Sequence, residues 1–245
     1  MTKGTSMTNK DRLIVALDLH TMEDVRRMVD TLADSVSYYK VGMELFYSVG
    51  PTAVDFLKES GKKVFLDLKV HDIPNTAAGA VASLADLGAD MMNVHAGGGF
   101  TMMRRAAEAL RESAAKAGVP CPKLIAVTVL TGIDQTEWEE LGQTGNIKGQ
   151  ILRLAKLAQK AELDGVVASP QEAAIIRENC GKDFLVVTPG VRPQGADKGD
   201  QSRIATPAAA IQNGASHIVV GRPIIKNADP RGAAQEILRQ MEEVL

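Results

Sequence analysis

The chain of 245 residues has few cysteines, no long apolar run and no excess of either charge. Its two cysteines, Cys121 and Cys180, form no CxxC pair, so we expect two free thiols in a reducing compartment. The longest apolar run of the first strand region, Leu13–Leu17, is far shorter than the roughly 18 residues that a membrane span needs. The formal net charge of −2 gives no reason to expect nucleic acid or an anionic membrane as a partner. We therefore expect a soluble, cytoplasmic protein that binds neither.

Several sequence motifs are also missing. The polar segment 1–10 has no apolar core, so we expect a flexible N-terminal tail there rather than a signal peptide, followed by one domain over 11–245. The four histidines do not have the spacing of metal ligands, so no metal site is predicted. Neither a nucleotide P-loop nor a GxGxxG motif occurs, and the residues after the first strand, Asp18–Thr21, contain no glycine. These absences disfavour a doubly wound nucleotide-binding sheet.

Short β-rich runs alternate with longer amphipathic stretches along the whole chain. The predicted strands are Arg12–Asp18, Tyr38–Val41, Lys63–Lys69, Met91–His95, Leu124–Val129, Gly165–Ala168, Phe184–Thr188 and His217–Val220. The predicted helices are Met22–Leu32, Ala53–Glu59, Thr76–Leu87, Met102–Ala117, Ile147–Ala161, Gln171–Glu178, Pro207–Gln212 and Arg231–Val244. Thr21 and Ser169 are predicted N-caps, and Pro170 is predicted to lie in a first helical turn.

This alternation predicts the fold class. Parallel strands need long crossover connections, so strands that alternate with helices indicate a parallel α/β sheet. Eight such units in a chain of 245 residues, without a linker, favour a single (β/α)8 TIM barrel. In that fold the active site lies at the C-terminal ends of the strands, so the polar residues there are the candidates for chemistry.

The third predicted strand carries the strongest chemical signal. Asp67 and Lys69 are two residues apart, so they share one face, while Leu66 and Leu68 share the other. If the leucines pack on the outer helices, Asp67 and Lys69 point into the barrel mouth, where Lys40 of the second strand can join them. Removing converging charges from water is costly unless the charges pair with each other or serve a function. The cluster therefore indicates either an active site or an ion network that only stabilises the barrel. Asp18 and His95 also lie at strand ends, but a lone charge there is usually a solvated rim residue.

The last quarter of the chain carries a second signal. Arg192 follows the seventh strand in Pro189–Pro193, and Gly221 and Arg222 follow the eighth. The loops after strands seven and eight of such barrels commonly bind phosphate through backbone N–H groups and a helix N-terminus. We therefore predict an anion site here, with a tight turn carrying a surface arginine as the alternative. His95 is followed by a glycine-rich run that either approaches a ligand or forms a flexible turn.

The pattern Asp67-x-Lys69-x-x-Asp72 resembles the signature of the orotidine 5′-monophosphate decarboxylase family. The likeness covers nearly the whole chain and departs at no functional position. Its other segments are Lys40–Gly42, Asp72–Thr76, Val129–Thr131, Thr188–Arg192 and Val220–Ile224. Because sugar-phosphate lyases of the same superfamily also carry the DxKxxD pattern, the additional segments are what make the likeness specific.

The resemblance implies a set of site residues. Lys40, Asp67 and Lys69 form an alternating charge network, completed by Asp72 of the partner subunit in a homodimer, and Thr76 also crosses the interface. The substrate, a nucleotide, is then bound by ten residues: Asp18, Lys40, Asp67, Ile73, Thr76, Thr131, Arg192, Gln201, Gly221 and Arg222. Asp18 and Lys40 hold ribose hydroxyls, Thr131 the pyrimidine edge, and Gln201 bridges phosphate and base.

The resemblance also implies a reaction, the loss of carbon dioxide from C6 of orotidylate to give uridylate. The pyrimidine cannot delocalise the electrons left at C6, and no pyridoxal, thiamine or metal motif is present, so we expect no cofactor. Lys69 is then the ammonium that faces the carbanion and protonates it. Two alternatives stay open: a Mg²⁺-dependent sugar-phosphate lyase of the same superfamily, and a non-catalytic sensor of phosphate ligands.

Overall fold

The computed structural model describes residues 8–193 and 205–244, and eight parallel strands in these ranges form a closed barrel in chain order. The strands are β1 (Leu13–Ala16), β2 (Tyr38–Gly42), β3 (Lys63–Val70), β4 (Met91–His95), β5 (Lys123–Val127), β6 (Gly165–Val167), β7 (Leu185–Thr188) and β8 (His217–Val220). Because β8 pairs with β1, the sheet closes and leaves no edge strand. The predicted (β/α)8 barrel is confirmed.

Helices connect successive strands on the outside of the barrel. They are α1 (Asn9–Arg12), α2 (Met22–Leu32), α3 (Met43–Val49), α4 (Thr52–Glu59), α5 (Pro74–Ala85), α6 (Gly99–Ala117), α7 (Gln135–Glu140), α8 (Ile147–Lys160), α9 (Ala173–Cys180), α10 (Pro207–Gln212), α11 (Arg222–Ile225) and α12 (Pro230–Glu242). The predicted helices are present, most with ends shifted by a few residues. The four helices that the sequence did not predict, α1, α3, α7 and α11, have seven residues or fewer, too short to show a helical period.

Several predicted strand ends differ from the structure by one or two residues; the fifth strand, for example, was predicted to end at Val129 and ends at Val127. The first strand was predicted over Arg12–Asp18, but Arg12 belongs to α1 and β1 ends at Ala16. The N–H of Leu17 still donates to the carbonyl of Lys40 at 3.0 Å, so the chain stays against β2 and delivers Asp18 to the top of the barrel.

The predicted caps had different outcomes. Thr21 caps α2 as predicted, and its hydroxyl accepts a hydrogen bond from the Asp24 N–H at 3.2 Å. Ser169 does not cap α9, because that helix begins only at Ala173. The Ser169 hydroxyl instead accepts the Gln171 N–H at 3.1 Å within a turn that also holds Pro170, so the proline is not in the first helical turn.

The side chains of the barrel alternate between two cores. The inner core fills the barrel with Ile14, Ala16, Tyr38, Phe65, Met91, Ile125, Val187 and Val219. Their sequence neighbours, such as Leu13, Val15, Val64 and Leu66, pack against the helices in the outer core. This alternation follows from the pleat of a strand, in which successive side chains point to opposite faces. Aromatic and aliphatic side chains close the lower barrel, so the polar groups at its upper end form a separate layer.

Other expectations concern the chain ends and the cysteines. The predicted tail 1–10 lies mostly outside the described residues, and α1 begins at Asn9, so the tail stays a prediction. Both cysteines are free thiols, as predicted, with Cys121 exposed and Cys180 buried. Among the described residues, no helix is both long enough and apolar enough to cross a membrane.

His217 lies at the lower end of the inner core and makes stability depend on pH. Its ring is 5 % exposed and meets Tyr38 edge-to-face at 5.9 Å. Burial, followed by the charges of Arg12 and Lys63, lowers the pKa of His217 from 6.5 to about 4. Between these pH values the unfolded chain therefore binds a proton at His217 and the folded chain does not. The contribution of His217 to the free energy of unfolding is complete above pH 6.5 and is lost as pH falls toward 4.

We predict that His217→Gln removes this acid sensitivity. Between pH 7 and pH 4 the wild type should lose roughly 3 kcal/mol more unfolding free energy than the variant, because the glutamine side chain does not titrate. Urea unfolding of both proteins at the two pH values measures the difference. Equal losses in the wild type and the variant would contradict the assignment.

Candidate active site

A chain of alternating charges crosses the mouth of the barrel. The ammonium of Lys69 lies 2.7 Å from Asp67 Oδ1, and the ammonium of Lys40 lies 3.5 Å from Asp67 Oδ2 and 3.2 Å from Asp18 Oδ1. The predicted convergence of Lys40, Asp67 and Lys69 is therefore confirmed, and Asp18 joins them. Leu66 is buried in the outer core and Leu68 is partly buried against it, which leaves the opposite face of β3 to the charges.

Burial and charge act against each other within this cluster. Burial alone would raise the pKa of Asp67, but Lys40 and Lys69, with hydrogen bonds from Lys69 and Asn93, outweigh it and hold that pKa below its usual value. For Lys40 burial would lower the pKa, yet Asp67 and Asp18 raise it above its usual value. Both groups are therefore ionised at neutral pH. A buried ammonium that stays charged can stabilise a negative charge on a bound ligand.

The backbone of β3 is irregular where it carries this chemistry. The pairing of β3 with β4 shifts register between Leu66 and Val70, and Lys69 has a φ of 53°, in the left-handed region. Simple alternation predicted the correct face for Lys69, but not this bulge. The Lys69 N–H donates to Asn93 Oδ1 at 2.8 Å, so a side chain of β4 takes the place of a backbone partner.

Two adjoining cavities meet at Lys40. One, of about 360 Å³, is bordered by Asp18, Lys40 and three further cationic side chains, Arg192, Arg222 and Lys226. The other, of about 350 Å³, is lined by Lys40, Asp67, Lys69 and Thr131 on its polar side, and by Phe65, Val127, Val129, Val167 and Val219 on its apolar side. Lys40, Pro189 and Val219 line both cavities. The linings match a ligand with an anionic end for the first cavity and a largely apolar end with polar substituents for the second.

The residues of the predicted anion site, Arg192, Gly221 and Arg222, line the first cavity, and anion binding there stays a prediction. Gly221 directly precedes α11, whose first residue is Arg222, and Arg192 is 8 % exposed in the loop after β7. A Cβ atom at Gly221 would lie 3.1 Å from Asp18 Oδ2, so the glycine allows β8 and the Asp18 segment to approach each other. Gln201, predicted to bridge the two ends of the ligand, lies outside the described residues.

Asp72, Ile73 and Thr76 do not join the charge cluster of their own chain. All three are exposed, and Asp72 Oδ1 accepts the N–H of Ile73 at 2.7 Å. No ion pair links Asp72 to Lys69 in the part of the chain that the structure describes. Ile73, the residue after Asp72, is 68 % exposed. The three residues are thus oriented outward from the rim of the barrel.

His95 is more than a solvated rim residue. It is half-buried at the end of β4, its ring stacks on that of His71 with centroids 5.0 Å apart, and its Nδ1 accepts the Gly97 N–H at 3.2 Å. Burial, then the charges of His71 and Lys69, lower the pKa of His95. The glycine-rich run after it forms a short 3₁₀ turn, Ala96–Gly98.

Comparison with known proteins decides the family. Residues 11–237 match the family described as "Orotidine 5'-phosphate decarboxylase / HUMPS family". The chain belongs to this family. It is 51 % identical to the orotidine 5'-phosphate decarboxylase of Moorella thermoacetica, over 97 % of this chain and 95 % of that one. It is 47 % identical to the enzyme of that name from Nostoc, over 97 % of this chain and the full length of that one.

Solved structures agree with the family assignment. The crystal structure of orotidine 5'-phosphate decarboxylase from Lactobacillus acidophilus superposes with a TM-score of 0.82 at 42 % identity, covering 94 % of this chain and 98 % of that one. An uncharacterized conserved protein from Geobacillus kaustophilus gives a TM-score of 0.81 at 41 % identity, covering 94 % and 99 %. The resemblance read from the DxKxxD pattern and its flanking segments is thereby confirmed.

Two residues of this family member were missed from the sequence. Asn93 contacts both Asp67 and the backbone of Lys69, and its place two residues before His95 on β4 was a signal that it faces the barrel interior. Gly42 was noted only as part of a motif. A Cβ atom there would lie 2.6 Å from the Lys40 ammonium, a close approach that no periodicity in the sequence reveals.

Proposed function

We propose that this protein converts orotidine 5′-monophosphate to uridine 5′-monophosphate and carbon dioxide, a step of pyrimidine biosynthesis. The observation that carries the proposal is the meeting of a cationic and a partly apolar cavity at the cluster of Lys40, Asp67 and Lys69. A nucleotide has the matching shape, with an anionic phosphate at one end and a flat base at the other. The names of the relatives at about half identity support the same substrate.

The cationic cavity suits the 5′-phosphate. Arg192 and Arg222 border it and can give charge-assisted hydrogen bonds to phosphate oxygens, while Gly221 lets the backbone approach them. Between this cavity and the next, Asp18 and Lys40 are placed for the ribose hydroxyls. Phosphate binding is remote from the reacting carbon, so its free energy can hold the base in place for the reaction.

The second cavity suits the pyrimidine. Phe65, Val127 and Val219 give it an apolar surface, while Thr131 is a polar group placed for an edge of the ring. In this orientation C6 and its carboxylate lie toward Asp67 and Lys69. We assign Gln201 to bridge base and phosphate, and that assignment stays a prediction because the residue lies outside the described ranges.

The reaction needs stabilisation of a carbanion. When the bond from C6 to the carboxylate breaks, carbon dioxide leaves and the electron pair stays on C6 in the plane of the ring. An ammonium about 4 Å away contributes roughly 4 kcal/mol at an effective dielectric near 20, a useful share of the barrier. We assign this role to Lys69, which then transfers a proton to C6 and recovers one from water. Asp67 orients the Lys69 ammonium through a contact of 2.7 Å, and its position beside the substrate carboxylate also allows it to destabilise the ground state.

The outward-facing segment suggests the rest of the site. Asp72, Ile73 and Thr76 are exposed beside the barrel mouth and do not reach Lys69 of their own chain. We propose that a homodimer places Asp72 and Thr76 of the partner subunit in each site, which would complete the alternating charges. An exposed apolar side chain at Ile73 supports an interface at this rim. The dimer, the lack of a cofactor and the cytoplasmic location remain predictions.

The sugar-phosphate lyase is the less favoured alternative. Such enzymes use Mg²⁺ to stabilise an enediolate, so a carboxylate of the site has to be free for the metal ion. Here both oxygens of Asp67 face ammonium groups, at 2.7 and 3.5 Å. Two cations at one carboxylate repel a third. The partly apolar lining of the second cavity also fits a pyrimidine better than an open-chain sugar.

We predict that the wild-type protein consumes orotidylate equally fast with and without a chelator, and that Lys69→Ala loses most of this activity. The loss reflects removal of the ammonium and not of the fold, so the far-ultraviolet circular dichroism should stay unchanged. The absorbance change of orotidylate measures the activity of the wild type, with and without chelator, and of the variant. Inactivity of the wild type, or activity that needs added metal, would overturn the proposed function, and full activity of the variant would overturn the role of Lys69.

Gly42→Ala offers a separate test, because it displaces the Lys40 ammonium without straining the main chain. Gly42 has a φ of −93°, which alanine adopts freely, so only the mobile end of Lys40 has to move. We expect kcat/KM to fall by about tenfold or more, equivalent to about 1.4 kcal/mol. The matched control is Gly79→Ala in α5, where a Cβ atom meets nothing within 4 Å. Similar kcat/KM values for the two variants would contradict the placement of Lys40.

A further inference from the structure

Asn93 is a buried polar side chain that connects two strands at the centre of the site. It lies on β4 between Met91 of the inner core and His95, and it is 2 % exposed. Polar groups at such depth are retained only where their hydrogen bonds are satisfied. Asn93 satisfies its own with Asp67 and Lys69, both on β3.

The chemistry of its partners fixes the orientation of the amide. Asn93 Nδ2 donates to Asp67 Oδ1 at 2.7 Å, and Asn93 Oδ1 accepts from the Lys69 N–H at 2.8 Å. An ionised carboxylate only accepts and a backbone N–H only donates, so the reversed amide would break both bonds. The same Asp67 oxygen also accepts from the Lys69 ammonium at 2.7 Å. The Asn93 amide therefore binds the backbone of Lys69 directly, and it shares the Asp67 oxygen that binds the Lys69 ammonium.

The backbone at Lys69 needs this support. Its φ of 53° is disfavoured for any residue that has a Cβ atom, and the register shift in β3 leaves its N–H without a ladder partner on β4. A regular strand would keep Lys69 on the inner face of the barrel, but with a different φ and therefore a different direction of its side chain. The direction of the ammonium is thus coupled to a conformation that Asn93 stabilises.

We infer that Asn93 is a positioning residue for the reaction: it holds Lys69 in the left-handed conformation and Asp67 in one orientation, so that the ammonium points at the reacting carbon. The inference rests on the proposed function, and it adds a residue that does not itself touch the substrate. A side chain that only braced the bulge would affect stability and substrate binding, whereas a positioning residue affects mainly the chemical step.

Asn93→Ala and Asn93→Leu test the inference, the second because it keeps most of the volume in case alanine impairs folding. We expect kcat to fall about a hundredfold, as a displacement of about 1 Å at a reacting group does, while KM changes less than about threefold. The matched control is Asn213→Ala, which removes a similar bond, from Nδ2 to the carbonyl of Pro170, away from the site. The control should keep the wild-type kcat.

Asn93→Asp adds a readout that a purely structural role would not give. A protonated carboxyl has one donor and one acceptor, like the amide, whereas the ionised form cannot donate to Asp67 and is repelled by it. The wild type has the same neighbouring charged and titratable groups, Asp67, Lys69, Lys40 and His95. Their own titration therefore affects both proteins and cancels when kcat is expressed relative to wild type. The kcat of the variant relative to wild type should therefore be highest at low pH and fall as pH rises, while Asn93→Leu stays low throughout.

The outcomes separate the two claims. A wild type that does not consume orotidylate overturns the proposed function, whatever the variants do. With an active wild type, an unchanged kcat in Asn93→Leu, or equal losses in kcat and affinity, overturns the inference. A ratio of Asn93→Asp to wild type that does not vary with pH overturns it as well.

Discussion

The carboxylate of Asp67 is the group on which the arrangement of this site depends. It is buried at the barrel mouth, accepts from Lys69 and Asn93 through one oxygen, and faces Lys40 through the other. Removing an ionised carboxylate from water is costly, and here two ammonium groups and an amide offset the cost. The same carboxylate, with Asp18, keeps Lys40 charged above a barrel whose lower half is hydrocarbon. Charge that is expensive to bury is thus retained where a substrate can use it.

Different levels of the barrel carry different kinds of side chain, and together they produce this arrangement. Below the charges, Tyr38, Phe65 and Met91 fill the barrel and fix the strand positions. Above them, the loops after β7 and β8 bring Arg192 and Arg222 to the neighbouring cavity. Lys40 lines both cavities, so in the proposed function phosphate binding in one cavity and the chemistry in the other share a residue. Remote binding can therefore orient the base without a separate coupling device.

Much of this could be predicted from the sequence. The period-two pattern of β3 was enough to place Asp67 and Lys69 on the inner face, and strand alternation with helices was enough for the barrel. The sequence did not reveal the left-handed backbone of Lys69, because no local pattern encodes a bulge that a side chain of another strand stabilises. It also did not reveal the start of α9, where a turn at Ser169 competes with the helix. Asn93 was visible in the pattern but was overlooked, since an amide carries no charge and matched no motif.

The central claim is that the ammonium of Lys69 exchanges a proton with C6 of the pyrimidine. Incubation of uridine 5′-monophosphate with the protein in D₂O, followed by proton NMR of the C6 position, tests it without decarboxylation. We expect the wild type to replace the C6 hydrogen by deuterium, and Lys69→Ala to do so no faster than buffer. Exchange at the wild-type rate in the variant would contradict the account, because another group would then be the proton donor.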